Sequence, residues 1–315
     1  MSAISIVIPC FNNDKEIEKT INSVKQQTFT DFDCVIVDDH STDNTYDKVL
    51  ELIAADQRFC LQKRASSLKG ANACRNQGYL SANSDLIVFL DADDRLLPDC
   101  LEKRCQSLDS PPTADCNVFN SYVYYEAHNK KIVFNSYSRN ALKCFLSGIY
   151  LWHTTSAVWS RSFLESIGGW DESLMRLQDI DLNIRALKKE SFTYRVHILK
   201  RPDNLHIKPP VEEVSLEKTK NKEKGYFQFF RKHVGDKEHI KYLFNTYLLY
   251  VRKAKLINYN YKPVLDVFTP LSLSQKLRLK LCSSNIKLLN HLENISHFRF
   301  LIHNLHRLAL TLFFR

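Results

Sequence analysis

Leu86-Ile-Val-Phe-Leu-Asp-Ala-Asp-Asp94 decides the fold. Five apolar residues run without a break into three carboxylates, which is a strand buried on both faces that ends abruptly in charge. Working toward the N-terminus, the same figure recurs twice. Ile4-Ser-Ile-Val-Ile-Pro9 leads into Cys10-Phe11-Asn12, and Cys34-Val-Ile-Val37 leads into Asp38-Asp39. Between these runs lie helical patterns. Ile17, Ile21 and Val24 follow Asn12-Asn13-Asp14, which supply capping residues, and Tyr46, Val49, Leu50 and Ile53 follow the cap Ser41 to Asp43. Arg58 to Gln62 reads as a weaker third strand and Lys69 to Leu80 as a helix. Strand and helix thus alternate, the signature of an α/β layer with a mostly parallel central sheet. Ligands of such sheets bind outside the carboxyl ends of the strands.

Carboxylates at strand ends either cap the next helix or hold a base, a ribose or a hard cation. Capping suits Asp43; the cation reading suits Asp91 and Asp93 better. Further on, residues 118–134 are β-rich, as antiparallel strands at a sheet edge. Gly168-Gly169-Trp170 marks a turn, and Gln178 to Lys188 a helix.

Composition narrows the setting. The chain has 315 residues, 44% of them hydrophobic and 25% charged, which excludes collagen-like and wholly disordered classes. No apolar run approaches the roughly 18 residues of a membrane span, and Ile4 to Pro9 is too short for a secretory signal. Nine cysteines without a CxxC pair suggest free thiols in a reducing, cytoplasmic setting. The net charge of +9 is unevenly spread. Residues 1–190 hold 21 basic and 26 acidic side chains, a net of −5; residues 191–315 hold 23 and 9, a net of +14.

Four spaced stretches carry a resemblance. Ser5-Ile-Val-Ile-Pro-Cys-Phe-Asn12, Val35-Ile-Val-Asp-Asp-His-Ser-Thr-Asp43, Gly70-Ala-Asn-Ala-Cys-Arg-Asn-Gln-Gly78 and Phe89-Leu-Asp-Ala-Asp-Asp94 resemble, in order, the signatures of the family 2 glycosyltransferases. Gly168-Gly-Trp-Asp-Glu172 and Gln178-Asp-Ile-Asp-Leu-Asn-Ile-Arg185 extend the likeness over about the first 200 residues. The resemblance implies a Rossmann-like glycosyltransferase A fold, a nucleotide-sugar donor with uridine favoured, Mn²⁺ or Mg²⁺, and inversion at the anomeric carbon. By position, Pro9 and Phe11 would flank the nucleobase, Asp39 would accept its imide N–H, and Asp38 would support that loop. Arg75 would lie near the donor diphosphate or the nucleotide, with a helix-surface ion pair as the alternative. Asp91 would contact the ribose or sugar or join the metal, with Ala92 and Asp94 also on the donor side. Asp93 would ligate the metal, and His206 is a further candidate ligand.

On the helix from Gln178, the apolar stripe Ile180, Ile184 and Leu187 leaves Asp179 and Asp181 on opposite flanks, about 100° to either side. Arg185 stands four residues after Asp181 as an ion-pair partner. Asp179 is therefore the candidate general base, where the family pattern also places it. That pattern has Glu before the base; here it is Gln178, a departure bearing on acceptor contacts or on the base's pKa. Trp152, His153, Trp170 and Gln178 are candidates for the acceptor side, with core packing as the alternative for the tryptophans.

The sequence-based division is a catalytic domain over 1–208, a charged linker over 209–224 and a basic helical region over 225–315. From Leu281 apolar residues recur at helical spacing among Lys287, His291, Arg299, His303 and Arg307. Such a helix suits an anionic membrane surface or packing against the catalytic domain or a second subunit, as in a homodimer. No nucleic-acid module is recognisable. The absence of a Gln-x-x-Arg-Trp motif speaks against a processive synthase. The expectation is a peripheral enzyme on the cytoplasmic face of the inner membrane, adding one sugar to a glycan or glycolipid. A sugar-phosphate nucleotidyltransferase and an inactive scaffold are the alternatives.

Overall fold

The computed structural model describes residues 2–109, 112–134, 137–210, 216–233 and 242–243. In chain order its elements are β1 (Ile4–Cys10), α1 (Ile17–Lys25), β2 (Phe32–Asp38), α2 (Thr45–Ile53), β3 (Phe59–Lys63), α3 (Ala71–Ser81), β4 (Leu86–Phe89), β5 (Arg95–Leu96), α4 (Cys100–Ser107), β6 (Cys116–Phe119), β7 (Ser121–Tyr125), β8 (Lys130–Phe134), α5 (Ala141–Leu146), β9 (Ala157–Ser160), α6 (Arg161–Ser166), α7 (Gln178–Leu187), β10 (Tyr194–His197), β11 (Asn204–Lys208) and α8 (Leu216–His233). The central sheet runs β10-β6-β9-β4-β1-β2-β3. Strands β4, β1, β2 and β3 are parallel, while β9 runs antiparallel between β4 and β6. Every residue of β1 and β2 is buried, as strands covered by helices on both faces are, and the polar exceptions pair, Ser5 donating to Asp33.

One face of the sheet places Ile4, Ile6 and Ile8 against Ile17, Ile21 and Val24 of α1 and Val49 of α2. The other face receives α3 at very short range. A Cβ at Gly78 would lie 2.3 Å from Val7 Cγ1, a stiff branched side chain with no room to retreat. Gly78→Ala should therefore destabilise the fold by about 1–3 kcal/mol, read as a lower urea midpoint. Adding Val7→Ala should recover part of that loss.

Several expectations need correction. The Asn12-Asn13-Asp14 side chains do not cap α1, whose flanking residue Glu16 has no side-chain cap; Asn13 instead accepts from Phe11 N at 2.9 Å. Leu50 is exposed rather than part of the α2 stripe, because α2 meets the sheet chiefly through Val49 and Ile53. The β-rich stretch 118–134 is not one sheet edge. Its first strand, β6, enters the central sheet, while β7 and β8 belong to a second sheet ordered β5-β11-β7-β8, in which β11 joins β7 in parallel. Residues 216–224 of the charged stretch are the first half of α8; Glu and Lys are good helix formers, so charge alone did not mark a linker. The amphipathic pattern from Leu281 lies outside the described residues.

The chain divides into two compact units. The first holds Met1–Leu142, Tyr150–Leu174 and Gln178–Glu212, with both sheets. The described part of the second is Lys143–Ile149, Met175–Leu177, α8 and residues 242–243, with Phe145, Phe229 and Phe230 buried. Among the described residues, the eight cysteines form no disulfide and no helix is long and apolar enough to cross a membrane.

Candidate active site

The register of the central sheet brings the strand ends together. Cys10 pairs with Asp38, and Val7 with Phe89, so the chain leaves β1, β2 and β4 on one side. Two left-handed residues, Asn12 (φ 53°) and His40 (φ 59°), turn it there. Asparagine tolerates this region unusually well. Asn12 also stitches the two loops together, its amide accepting from Thr42 N at 2.8 Å and its backbone N–H donating to Ser41 Oγ at 3.0 Å.

These ends frame a cavity of about 240 Å³. Pro9 and Phe11 come from β1 and its exit, Asp91, Ala92 and Asp93 from the exit of β4, and Asp39 and Arg75 share the wall with Cys10, Asn13, Ala71 and Cys74. Six residues expected on the donor side and Asp93, expected as the metal ligand, thus line one cavity. Phe11 is half exposed, an open aromatic face beside the buried Pro9.

Asp38 stands behind the wall. It is buried, and its carboxylate accepts from Ser41 N at 3.0 Å and from Ser41 Oγ, so it holds the loop that carries Asp39. Arg75 is no surface ion pair. It is 7% exposed, donates to Asp91 Oδ1 at 2.7 Å, Asn72 Oδ1 at 3.2 Å and Gln178 Oε1 at 3.3 Å, and lies 4.4 Å from the Trp170 ring centroid. Its Nε has no acceptor among the described residues.

Asp94 is the clearest departure. It is 1% exposed and turned to the fold, accepting from Thr155 Oγ1 at 3.0 Å and Ile207 N at 2.9 Å. His206 Nδ1 bonds the same carboxylate at 3.1 Å. Asp94 therefore anchors β11 and does not line the cavity, since adjacent residues of a tight turn point to opposite sides. His206 is drawn toward Asp94 and stacks on His153, ring centroids 4.1 Å apart. Burial opposes protonation of His206, but the hydrogen bond and charge of Asp94 outweigh it and raise its pKa. His153 is also packed against Phe134; burial, then His206 and Lys208, push its pKa down to about 2.

The two tryptophans are core residues. Trp152 donates to Asn183 Oδ1 at 3.0 Å and packs on Tyr194, while Trp170 meets Phe89 edge-on at 5.1 Å. Both are buried, leaving no face for an acceptor sugar. Asp181 is also buried and receives Arg185 Nε at 2.8 Å, as the four-residue spacing predicts. Arg185 reaches on to the carbonyls of Ile167 and Gly169 and fixes the glycine turn. Helix α7 is buried well beyond its expected stripe, with Asp181, Leu182 and Asn183 enclosed and Leu187 only partly covered. Asp179 is half buried at its start. Burial raises its pKa, with Arg75 pulling it down and Asp91 adding to the rise.

Three residues that sequence reasoning passed over shape the site. Asn72 donates to Asp171 O at 2.6 Å, and Asn76 grips Trp170 through its N–H and carbonyl, both at 2.8 Å. Their four-residue spacing puts them on one face of α3, which was the available signal. Arg64 pairs with Asp39 from outside every motif.

A divalent cation fits the donor chemistry of the β4 exit. Asp93 is exposed, yet the surrounding protein and then the charges of Asp94 and Asp91 push its pKa up to about 6, a crowding of negative charge that a cation relieves. Among the described residues no three ligating side chains are grouped to hold an ion unaided. One or two carboxylates completed by phosphate oxygens is the usual way Mg²⁺ is held.

A mostly parallel sheet with acidic strand ends, joined to a second sheet, is the architecture of the glycosyltransferase A fold. In solved structures this fold recurs in S. aureus TarS in complex with UDP (TM-score 0.55, 16% identity, 98% of this chain and 88% of that one). It recurs also in a mannosyltransferase from Pyrobaculum calidifontis with GDP-Man and Mn²⁺ (TM-score 0.55, 17% identity, 99% and 86%). The glycosyl transferase family 2 profile matches residues 5–166, and the chain belongs to that family. An uncharacterized glycosyltransferase of Haemophilus influenzae is 28% identical over 208 residues, 62% of this chain and 65% of the relative. The GalNAc(5)-diNAcBac-PP-undecaprenol β-1,3-glucosyltransferase of Campylobacter jejuni is 33% identical over 106 residues, 34% of each. The match thus spans less than two thirds of either relative.

Proposed function

We propose that this protein transfers one sugar from a nucleoside-diphosphate sugar, UDP-linked in our reading, to a hydroxyl of a glycan or glycolipid, with inversion. The observation that carries the reading is the convergence of Pro9, Phe11, Asp39, Arg75, Asp91 and Asp93 on one cavity at the strand ends. Pro9 and Phe11 sandwich the nucleobase, and Asp39 accepts its imide N–H. Arg75, a cation on the cavity wall, meets the diphosphate. Asp91, already tied to Arg75, orients the ribose or the sugar.

Asp93, with Asp91 as a second carboxylate, would hold Mn²⁺ or Mg²⁺; such an ion neutralises the leaving diphosphate as a Lewis acid. Asp179 takes the proton of the acceptor hydroxyl as that oxygen bonds to the anomeric carbon and the sugar–diphosphate bond breaks. Its raised pKa makes it a stronger base than a free carboxylate. Gln178, neutral where the family pattern has Glu, accepts from Arg75 and leaves Asp91 as the carboxylate bonded to that guanidinium. The C. jejuni relative, named for an undecaprenol-linked acceptor, supports a lipid-linked acceptor here.

The test is a panel of nucleotide sugars with Mn²⁺, read by thermal shift and slow donor hydrolysis. Stabilisation by one donor, with release of its nucleoside diphosphate, is expected. Pyrophosphate release from a nucleoside triphosphate and a sugar phosphate would instead identify a nucleotidyltransferase, and indifference to every nucleotide an inactive scaffold. The +14 region beyond residue 190 is assigned to an anionic membrane surface. Sedimentation with vesicles rich in phosphatidylglycerol should be lost at high salt and on truncation at Pro270. Undiminished binding by the truncated chain refutes the assignment.

A further inference from the structure

Asp39 does not stand alone at the cavity wall. Arg64 follows directly on β3, and its backbone is pinned at both ends: its N–H donates to Asp38 O at 2.9 Å, and its carbonyl receives His40 Nε2 at 3.0 Å. The side chain is 6% exposed. Its Nε donates to Asp39 Oδ1 and its Nη1 to Ser66 O, while Gly70 N donates to Asp39 Oδ2 at 2.9 Å. The Asp39 carboxylate is thus gripped on one oxygen by a guanidinium and on the other by a backbone amide. Each oxygen keeps a lone pair, and Asp39 lines the cavity whereas Arg64 does not.

We propose that Arg64 is a positioning residue that fixes Asp39 as an outward-facing acceptor and so gives the cavity its selectivity for nucleobases bearing a ring N–H. The inference rests on the donor reading above. The physical reason is orientation. An aspartate carboxylate turns about two side-chain bonds and presents its lone pairs in many directions, and a two-sided grip leaves one. Arg64 also balances the Asp39 charge from behind the wall, in a cavity that already holds Asp91 and Asp93 and must admit a diphosphate. An N-methylated base, with nothing to donate, faces a fixed acceptor that it cannot satisfy.

The experiment measures affinities of UDP, N3-methyl-UDP and inorganic pyrophosphate, each with Mn²⁺, by calorimetry on the full chain and on Arg64→Met and Arg64→Lys. In the wild-type chain UDP should bind at least 10-fold tighter than its methylated form. Arg64→Met should erase most of that ratio and leave pyrophosphate binding unchanged. Arg64→Lys, which restores one charged donor without the planar fork, should recover part of it. An unchanged ratio in a folded Arg64→Met protein overturns the proposal, as does an equal loss for UDP and pyrophosphate in both variants, which marks a merely structural role. A wild-type chain that binds no UDP overturns the donor reading as well, which separates the two failures.

Discussion

Asp179→Asn should lower sugar transfer by about 10²–10⁴-fold, the usual worth of a positioned general base, while donor affinity stays within about twofold of wild type. Asparagine keeps the shape of the side chain and an oxygen to accept the bond that Ile180 N donates to Asp179 Oδ1 at 3.0 Å, but cannot accept a proton. The effect should fall on kcat, because the proton moves only as the acceptor oxygen attacks. In the wild type, burial raises the pKa of Asp179 above the ordinary carboxylate value. A general base works deprotonated, so with Asp179 in that role activity should decline with falling pH along a limb that begins above the range of an exposed aspartate. Steady-state kinetics across pH, with donor binding measured separately, decide the matter. Transfer that survives in Asp179→Asn assigns the proton to another group.

Asp93→Asn should cost as much by a different route. Asp93 is the exposed carboxylate of the β4 exit, whereas Asp91 is bound to Arg75 and Asp94 to Thr155 and β11. It is thus the carboxylate best placed to meet an ion from solvent. A cation at a transferring diphosphate contributes several kcal/mol, so transfer should fall by about 10²–10⁴-fold, at 1.36 kcal/mol per decade. The diagnostic is metal dependence: Mn²⁺ should tighten nucleoside-diphosphate binding in the wild type and do so far less in Asp93→Asn. An unaltered response to Mn²⁺ places the ion elsewhere. The variant should fold, because removing one of three crowded charges relieves repulsion in the free protein.

Much of this site was legible in the sequence because one rule generates it. Apolar runs that end in polar residues become buried strands of a parallel sheet, and the sheet aligns their ends. Pro9, Phe11, Asp39, Asp91 and Asp93 could all be found that way. What escaped was everything set by direction or distance. Asp93 and Asp94 are neighbours of one type, and only the turn decides which faces the cavity. Trp152 and Trp170 read alike whether they stack on a sugar or pack in the core against Tyr194 and Phe89. The second sheet was hidden because β5 has two residues and β11 pairs with β7 about 80 positions earlier in sequence. Arg64 lies outside the motifs, and nothing local marks it as the partner of Asp39.

The grip on Asp94 also sets when the protein becomes competent during its synthesis. The parallel core needs little beyond the first 90 residues, yet Asp94 takes its partners from positions 155, 206 and 207. Until β11 has left the ribosome, at roughly 5–20 residues per second, the turn bearing Asp93 is held from α1, by Thr20 Oγ1 donating to Ala92 O and Asp94 O, but lacks its partners on the Asp94 carboxylate. A nascent chain stalled before Asn204 would carry the parallel strands with an acidic turn not yet joined to β11. Completion of the site is thus a late event in the life of each molecule, after most of the first unit has already been made.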